Sequence, residues 1–509
     1  MKKYITFSAA VYSLLLFISC REDLNLKSPN ALTTDQFWKV PGDAEKGVNS
    51  IYAMFYKEGV WARWIYFRLD LTSDEGFSKS PWTELADWTR FNYVNYNFWE
   101  GNAMTWRDTY KAIFRANQVI ANVPSIEFAD KARKQSILAE AKFLRALYYF
   151  YAAELWENIP LVLAPSLPND LPKQNKKEEI FAQAEADLKS AFEDLPLSWD
   201  ANHTGRASKG AAKALLGKLY MQQHRWADAK TAFDYLITGP GAIYKLTTNF
   251  EDNFTHLAEN NSESVFEIQF GDQRLGGAGE TADAAVSSSR AQFFAPRSIG
   301  WSDGQVRPWV VSLFKEELNA SGKLDSRLRH SLFYPDLLKD FGDLTYGKQW
   351  EWDADEAWFR KGQRDYYRKN EDYFCQVNFR LIRYADILLL YAEALNELGE
   401  TEKAYEYVDL VRARSKMRPL AAAHPEIRND HDLFLQRLKN ERVLELCGES
   451  LRWLDLKRWG DLETQASIDK ISQRDPDFKN FVLGKTIRLP IPQSEVKNNN
   501  ANITQNPNY

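Results

Sequence analysis

The chain has 509 residues, 65 of them basic and 70 acidic, for a formal charge of −5 at neutral pH. That length holds two or three ordinary domains, or one large domain with insertions. Hydrophobic residues at 44% and charged residues at 27% argue against a disordered polymer, and the acidic balance argues against nucleic-acid binding, which needs a basic patch.

The N-terminus reads as an address. Lys2 and Lys3 precede the short apolar run Ala9–Ile18, followed by Ser19 and Cys20. A basic start, a brief apolar core and a small residue before the cut make a secretory signal over residues 1–19, too short to span a bilayer comfortably. Beyond Cys20 only Cys375 and Cys447 remain. Neither has a CxxC or CxH neighbour, so they read as buried free thiols rather than a disulfide framework or a zinc site.

Residues 61–101 carry Trp61, Trp64, Trp82, Trp88 and Trp99 with no sustained helical period, and read as an aromatic, Asn-rich loop region. Helical stripes follow: Trp106, Tyr110, Ile113, Asn117 and Ile120, then Ile137, Ala141, Leu144, Tyr148 and Tyr151, then Phe181, Ala184, Leu188, Ala191 and Leu195. Leu216-Gly217-Lys218-Leu219-Tyr220 with Ala229, Phe233 and Pro240 fits the tetratricopeptide pattern. A second unit repeats its register, with Ala392 for Gly217, Leu395 for Tyr220, Ala404 for Ala229 and Val408 for Phe233, and Gly399 opening the turn. Helix pairs of this kind must stack to bury their faces, which predicts a mostly α fold, an array of about four pairs.

The array is interrupted. Residues 241–379 are rich in Asn, Gly, Ser and aromatics, with Trp301, Trp309, Trp350, Trp352 and Trp358, a β-like run Ser264–Phe270, and a flexible Gly276–Gly279 loop. This stretch reads as a long irregular insertion with a few short strands.

Three C-terminal segments carry a resemblance. They are Arg383-Tyr384-Ala385-Asp386-Ile387-Leu388-Leu389-Leu390-Tyr391-Ala392-Glu393-Ala394, then Glu445-Leu446-Cys447-Gly448-Glu449-Ser450-Leu451-Arg452-Trp453-Leu454-Asp455-Leu456-Lys457-Arg458-Trp459, then Ile487–Pro492 leading to Gln505-Asn506-Pro507-Asn508-Tyr509. In this order they resemble the SusD/RagB family of outer-membrane lipoproteins of Bacteroidetes. The resemblance implies one domain over residues 20–509, with a helical scaffold at about 29–60, 102–240 and 380–465. Cys20 then resembles the lipidated cysteine of a bacterial lipoprotein, although Phe17 stands where leucine is usual, and Arg21-Glu22-Asp23 looks like a surface-export signal.

The resemblance further implies a glycan-binding surface protein that lies over a SusC-like TonB-dependent transporter and hands it oligosaccharide. A peptide- or glycoprotein-accepting protein, as on the RagB side of the family, is the alternative, and a lipid-anchored glycoside hydrolase a third reading. An aromatic face covers the C–H patch of a sugar ring while polar side chains satisfy its hydroxyls. Trp82 and Trp88, with Trp301 and Trp350 across a cleft, are the candidate platforms. Asp74, Arg90 and Asn92 are candidates for hydroxyl contacts, although each Trp also suits core packing. Trp99 and Trp106 read as packing.

No catalytic constellation is expected. The six histidines show no HExxH, there is no G-x-S-x-G or Walker A sequence, and Glu351–Glu356 reads as a solvated acidic loop rather than a calcium site. No cofactor or resident metal is implied. Arg383, Glu393, Arg452, Asp455 and Arg458 read as helix-borne ion-pairing residues.

Overall fold

The computed structural model describes residues 37–93, 100–167, 169–272, 286–499 and 501–509. The leader, Cys20, Trp99 and the Gly276–Gly279 loop lie outside the described residues.

The expected helix pairs are present. Helix α1 (Pro41–Tyr52) starts with a proline in its first turn, where a missing N–H costs nothing. Short helices α2 (Trp64–Leu71) and α3 (Thr83–Thr89) follow, so the 61–101 region is partly helical. Every residue of α2 is buried, and every residue of α3 except Thr83, so burial on all faces erases the amphipathic period. Helix α4 (Glu100–Asn122) packs on α1, and α5 (Lys131–Trp156) on α6 (Lys177–Asp194). Helices α7 (Lys209–Met221) and α8 (Trp226–Ile237) form the first tetratricopeptide unit.

The insertion then intervenes, contributing α9 (Arg290–Phe294) among its elements. Helices α10 (Tyr384–Glu397) and α11 (Thr401–Arg414) make the second unit, α10 packing on α8. Helix α12 (His431–Leu446) closes the array against α10, and α13 (Arg452–Arg458) reaches back to α2.

Close approach explains the small residues of the repeat. A Cβ on Gly217 would lie 2.2 Å from the Phe233 ring, and the matching Ala392 and Ala404 are fully buried. Gly399 has φ of +76°, a left-handed turn that glycine adopts without penalty.

The insertion is stitched to the scaffold by β pairing. Ser264–Ile268, the expected strand, runs antiparallel to Phe379–Arg383, so the two ends of the insertion meet. A second sheet of two-residue strands, in the order Gly76–Phe77, Gln305–Val306, Trp358–Phe359, Leu332–Phe333, ties the aromatic N-terminal region to the insertion. One continuous apolar core runs from Ala44 to Ile503. Cys375 and Cys447 are free and buried, and burial pushes both thiols up to about 12.

The C-terminal motif is an ion-pair lattice. Arg383 ends its strand at the N-cap of α10 rather than lying on the helix. Fully buried, it donates to Glu263 and Glu445 at 2.6 Å each and to both oxygens of Glu449 at 2.6 and 2.8 Å. Arg327 and Arg414 also reach Glu445, and Arg327 and Arg412 share Glu441. On the neighbouring side Glu393 accepts two bonds from Arg458 at 2.7 Å each, and Asp455 accepts from Arg442 at 2.8 Å. The ion-pairing role expected for Glu393, Asp455 and Arg458 is therefore what the structure gives them.

Burial alone would raise the carboxyl of Glu445, but Arg414, Arg383 and Arg327 outweigh it and hold it well below the carboxylate range. Glu263, Glu441, Asp386 and Asp455 are lowered in the same way. The folded state thus binds fewer protons than the unfolded one, and this stabilisation is lost as pH falls below about 4. Burial pushes Glu75 and Glu84 the other way, to about 8, so their contribution erodes stability as pH rises from about 4 towards 8. Denaturation midpoints measured across pH should therefore peak at about pH 5 and drop steeply below about pH 4. A midpoint flat between pH 3 and 5 would contradict the lattice.

Candidate functional site

The site begins with a buried cation. Arg63 precedes α2 at a kinked backbone position and is 2% exposed. Its guanidinium carbon lies 5.2 Å from the ring centres of Trp64, Phe293 and Tyr373 and 5.8 Å from that of Trp82. Its Nη2 donates to Glu58 Oε1 at 2.9 Å, and the Tyr373 hydroxyl donates to the same oxygen at 2.8 Å. The charge is therefore paired, and the guanidinium fixes the surrounding rings by cation–π attraction.

On this base stands Trp301, 46% exposed. Its ring meets Phe293 edge-on at 4.6 Å and lies 6.1 Å from Tyr373. The turn carrying it is rigid. Trp301 N donates to Gln292 O at 2.8 Å, Ser302 N to Ala295 O at 3.0 Å and Asp303 N to Phe293 O at 2.7 Å, pinning the turn to α9. A Cβ on Gly300 would strike the Gln292 carbonyl at 2.3 Å, so the approach depends on glycine. An indole held out to water on a fixed turn is a ready stacking surface.

Trp82 is half-buried at the N-cap of α3, its ring 6.2 Å from Phe293 and 5.2 Å from Trp64. Between the Trp82 loop and the Trp301 turn lies Asp303. Burial pushes its carboxyl up to about 6, partly offset by a hydrogen bond with the Ser80 hydroxyl, so at neutral pH it is an ionised acceptor. Ser80 Oγ also accepts from Trp82 N at 3.0 Å. The structure thus brings Trp82 and Trp301 around one centre.

Trp350 belongs to an adjoining cluster. It is half-buried, 5.0 Å from Trp352 and 5.8 Å from Trp358. The same turn couples the two clusters. Trp358 Nε1 donates to Ser302 Oγ at 3.0 Å, Trp352 Nε1 to Arg297 O at 2.9 Å, and Ser298 Oγ to Glu351 Oε1 at 2.8 Å. Arg297, with its side chain half exposed, pairs with Glu356. Within the acidic run Glu351–Glu356, Glu356 therefore turns inward to Arg297, and Glu351 holds the turn.

Two other candidates are corrected. Trp88 is 1% exposed and meets Trp64 edge-on at 5.3 Å. It packs the core and offers no platform. Asp74 is fully buried and accepts from Arg452 Nε at 2.7 Å, Arg452 Nη2 at 3.0 Å and Arg474 Nε at 2.8 Å. Its carboxylate locks the segment after α2 to the C-terminal region and has no face for a sugar hydroxyl.

Arg90 and Asn92 are exposed but stand beyond the C-terminal end of α3, remote along it from Trp82. Asn92 Nδ2 donates to Asp87 Oδ1 at 3.0 Å, and the intervening Phe91 turns away to Phe478. Trp106 is packed in the core, as expected. Sequence reasoning missed Arg63, Tyr373, Asp303 and Arg297. The spacing Trp61-Ala62-Arg63-Trp64 is a signal that could have found Arg63, whereas the other three become partners only through the insertion's folding.

Two family models match the chain, one described as the SusD family over residues 262–509 and one as starch-binding associating with outer membrane over residues 24–221. The chain belongs to the SusD family. It is 27% identical to a SusD-like protein of Formosa agariphila over the full length of both. Among solved structures, a SusD superfamily protein from Bacteroides vulgatus is 25% identical, with a TM-score of 0.80 over 93% of this chain and all of that one. A laminarin-binding SusD-like protein is 27% identical, with a TM-score of 0.76 over 92% of this chain and all of the other.

Replacing Asp74 by Asn removes the charge that two guanidiniums share, and should cost about 3–5 kcal/mol of stability. Trp88→Ala should cost about 3–5 kcal/mol through the cavity it opens. Urea denaturation checks both, and a Trp88→Ala protein as stable as the parent would restore that residue as a surface group.

Proposed function

We propose that this protein is a cell-surface glycan-binding lipoprotein. In this reading it is anchored in the outer membrane through lipid on Cys20, facing outward, and passes captured oligosaccharide to a SusC-like TonB-dependent transporter. The observation that carries it is the Trp301 indole, exposed on a pinned turn beside Trp82 and Tyr373 over the buried Arg63. Trp301 offers a flat face to the C–H patch of a pyranose, with the half-exposed side chains of Arg297, just before the turn, and Glu351, bonded to Ser298, available for its hydroxyls. The laminarin-binding neighbour and the starch-binding description of the matched N-terminal half support the same cargo class.

The role is capture and release without bond cleavage. A shallow platform contacts few sugar units and binds each chain weakly. Anchored copies compensate by engaging one polymer together, and weak contacts permit handover.

The test is retardation of residues 21–509 in native gels containing laminarin, starch or other soluble polysaccharides. One glycan class should retard the protein. Trp301→Ala should weaken that binding about tenfold or more, or about 1.4 kcal/mol, and Trp82→Ala should weaken it less, with circular dichroism unchanged in both. The same mixtures should release no new reducing ends. Unaltered binding in Trp301→Ala would move the site elsewhere, and new reducing ends would favour the hydrolase reading.

A further inference from the structure

A second built site lies away from the aromatic platform. A cavity of about 130 Å³ opens between α12, the start of α13 and the helix Gln465–Ser472. Lys439, Arg452, Lys470 and Arg474 face it against a single carboxylate, Asp461. Asp461 is already engaged, because Lys439 Nζ donates to both its oxygens at 3.0 and 2.9 Å. Arg452 and Arg474 share the one carboxylate of Asp74 behind the wall. Lys470 makes no ion pair among the described residues and is exposed.

The orphan is Arg452. It is 6% exposed, and its Nε and Nη2 are spent on Asp74, while its buried Nη1 has no hydrogen-bond partner among the described residues. A buried guanidinium nitrogen without an acceptor is costly. It is also held in place, its Cζ 5.8 Å from the Trp309 ring centre and 5.2 Å from that of Trp459. Glu75, which also feels Arg452, is kept protonated at neutral pH by burial that raises it to about 8, so it adds no compensating charge.

We propose that this cavity binds a small tetrahedral oxyanion, phosphate or sulfate, held by Arg452 Nη1 and Lys470. Gln436 and Asn440 from α12 and Ser467 from the helix Gln465–Ser472 line the cavity and supply neutral donors. A guanidinium fork suits such an anion. The volume admits a small ion together with some water, and falls well short of the roughly 300 Å³ or more typical of organic-ligand pockets.

Calorimetric titration of residues 21–509 with sodium phosphate and with sodium sulfate, at constant ionic strength set by sodium chloride, tests it. At least one oxyanion should bind saturably and raise the thermal midpoint. Binding of phosphate alone or sulfate alone supports the site and names its anion. Lys470→Gln, a surface change outside the aromatic platform, should weaken binding at least tenfold with the anion-free midpoint and glycan retardation unchanged. No heat beyond that of chloride would mean that water alone fills the cavity, and full affinity in Lys470→Gln would place the anion elsewhere. Either result overturns the proposal.

Discussion

Arg383 stands where a strand ends, a helix begins and the carboxylates of Glu263, Glu445 and Glu449 converge. Each of these charges is out of water, and an unpaired one would be costly at such depth. The arrangement closes only if the insertion's first strand, α10 and the segment after α12 arrive together, because each supplies part of it. A stack of helix pairs by itself tolerates sliding, since one apolar face fits another in several registers. A lattice of directional, charge-assisted bonds does not. In this chain it sets how the second tetratricopeptide unit, the insertion and the C-terminal helices meet.

That fixed meeting has consequences for the aromatic platform. Its parts come from far apart in sequence: Arg63 and Trp82 from the N-terminal region, Phe293, Trp301 and Asp303 from the insertion, Tyr373 from the insertion's end. Asp74 paired to Arg452 and Arg474, and Asp70 to Arg290, bind the N-terminal region to both of the other parts. Trp301 can stay exposed because the energy that holds its turn is supplied beneath it, by backbone bonds to α9 and by rings gathered over Arg63. Recognition is carried by loops, and their rigidity is borrowed from the scaffold.

The scaffold was legible because its signals are local. Gly217 and Ala229 repeat at Ala392 and Ala404, the stripes of α4, α5 and α6 follow the helical period, and Ser264–Ile268 reads as a strand. The 61–101 region was less so, since short helices buried on every side carry no stripe. For the platform, Trp82, Trp301 and Trp350 were found as aromatics in loops, and only the first two share a centre. Trp88 was indistinguishable from Trp82 in sequence because exposure is not a property of residue type. Asp74 looked available because its partners Arg452 and Arg474 lie about four hundred positions away.

By itself, the sequence determined the family, the helix pairs, the free thiols and the interruption of the array by an aromatic insertion, all of which rest on patterns spanning a few residues or turns. Only the tertiary structure decided which tryptophans face water, which carboxylates are consumed in ion pairs and where a guanidinium is left without an acceptor. Those outcomes depend on burial and on contacts between distant segments, and burial decides whether an aromatic ring or a charge is a structural part or a surface for binding.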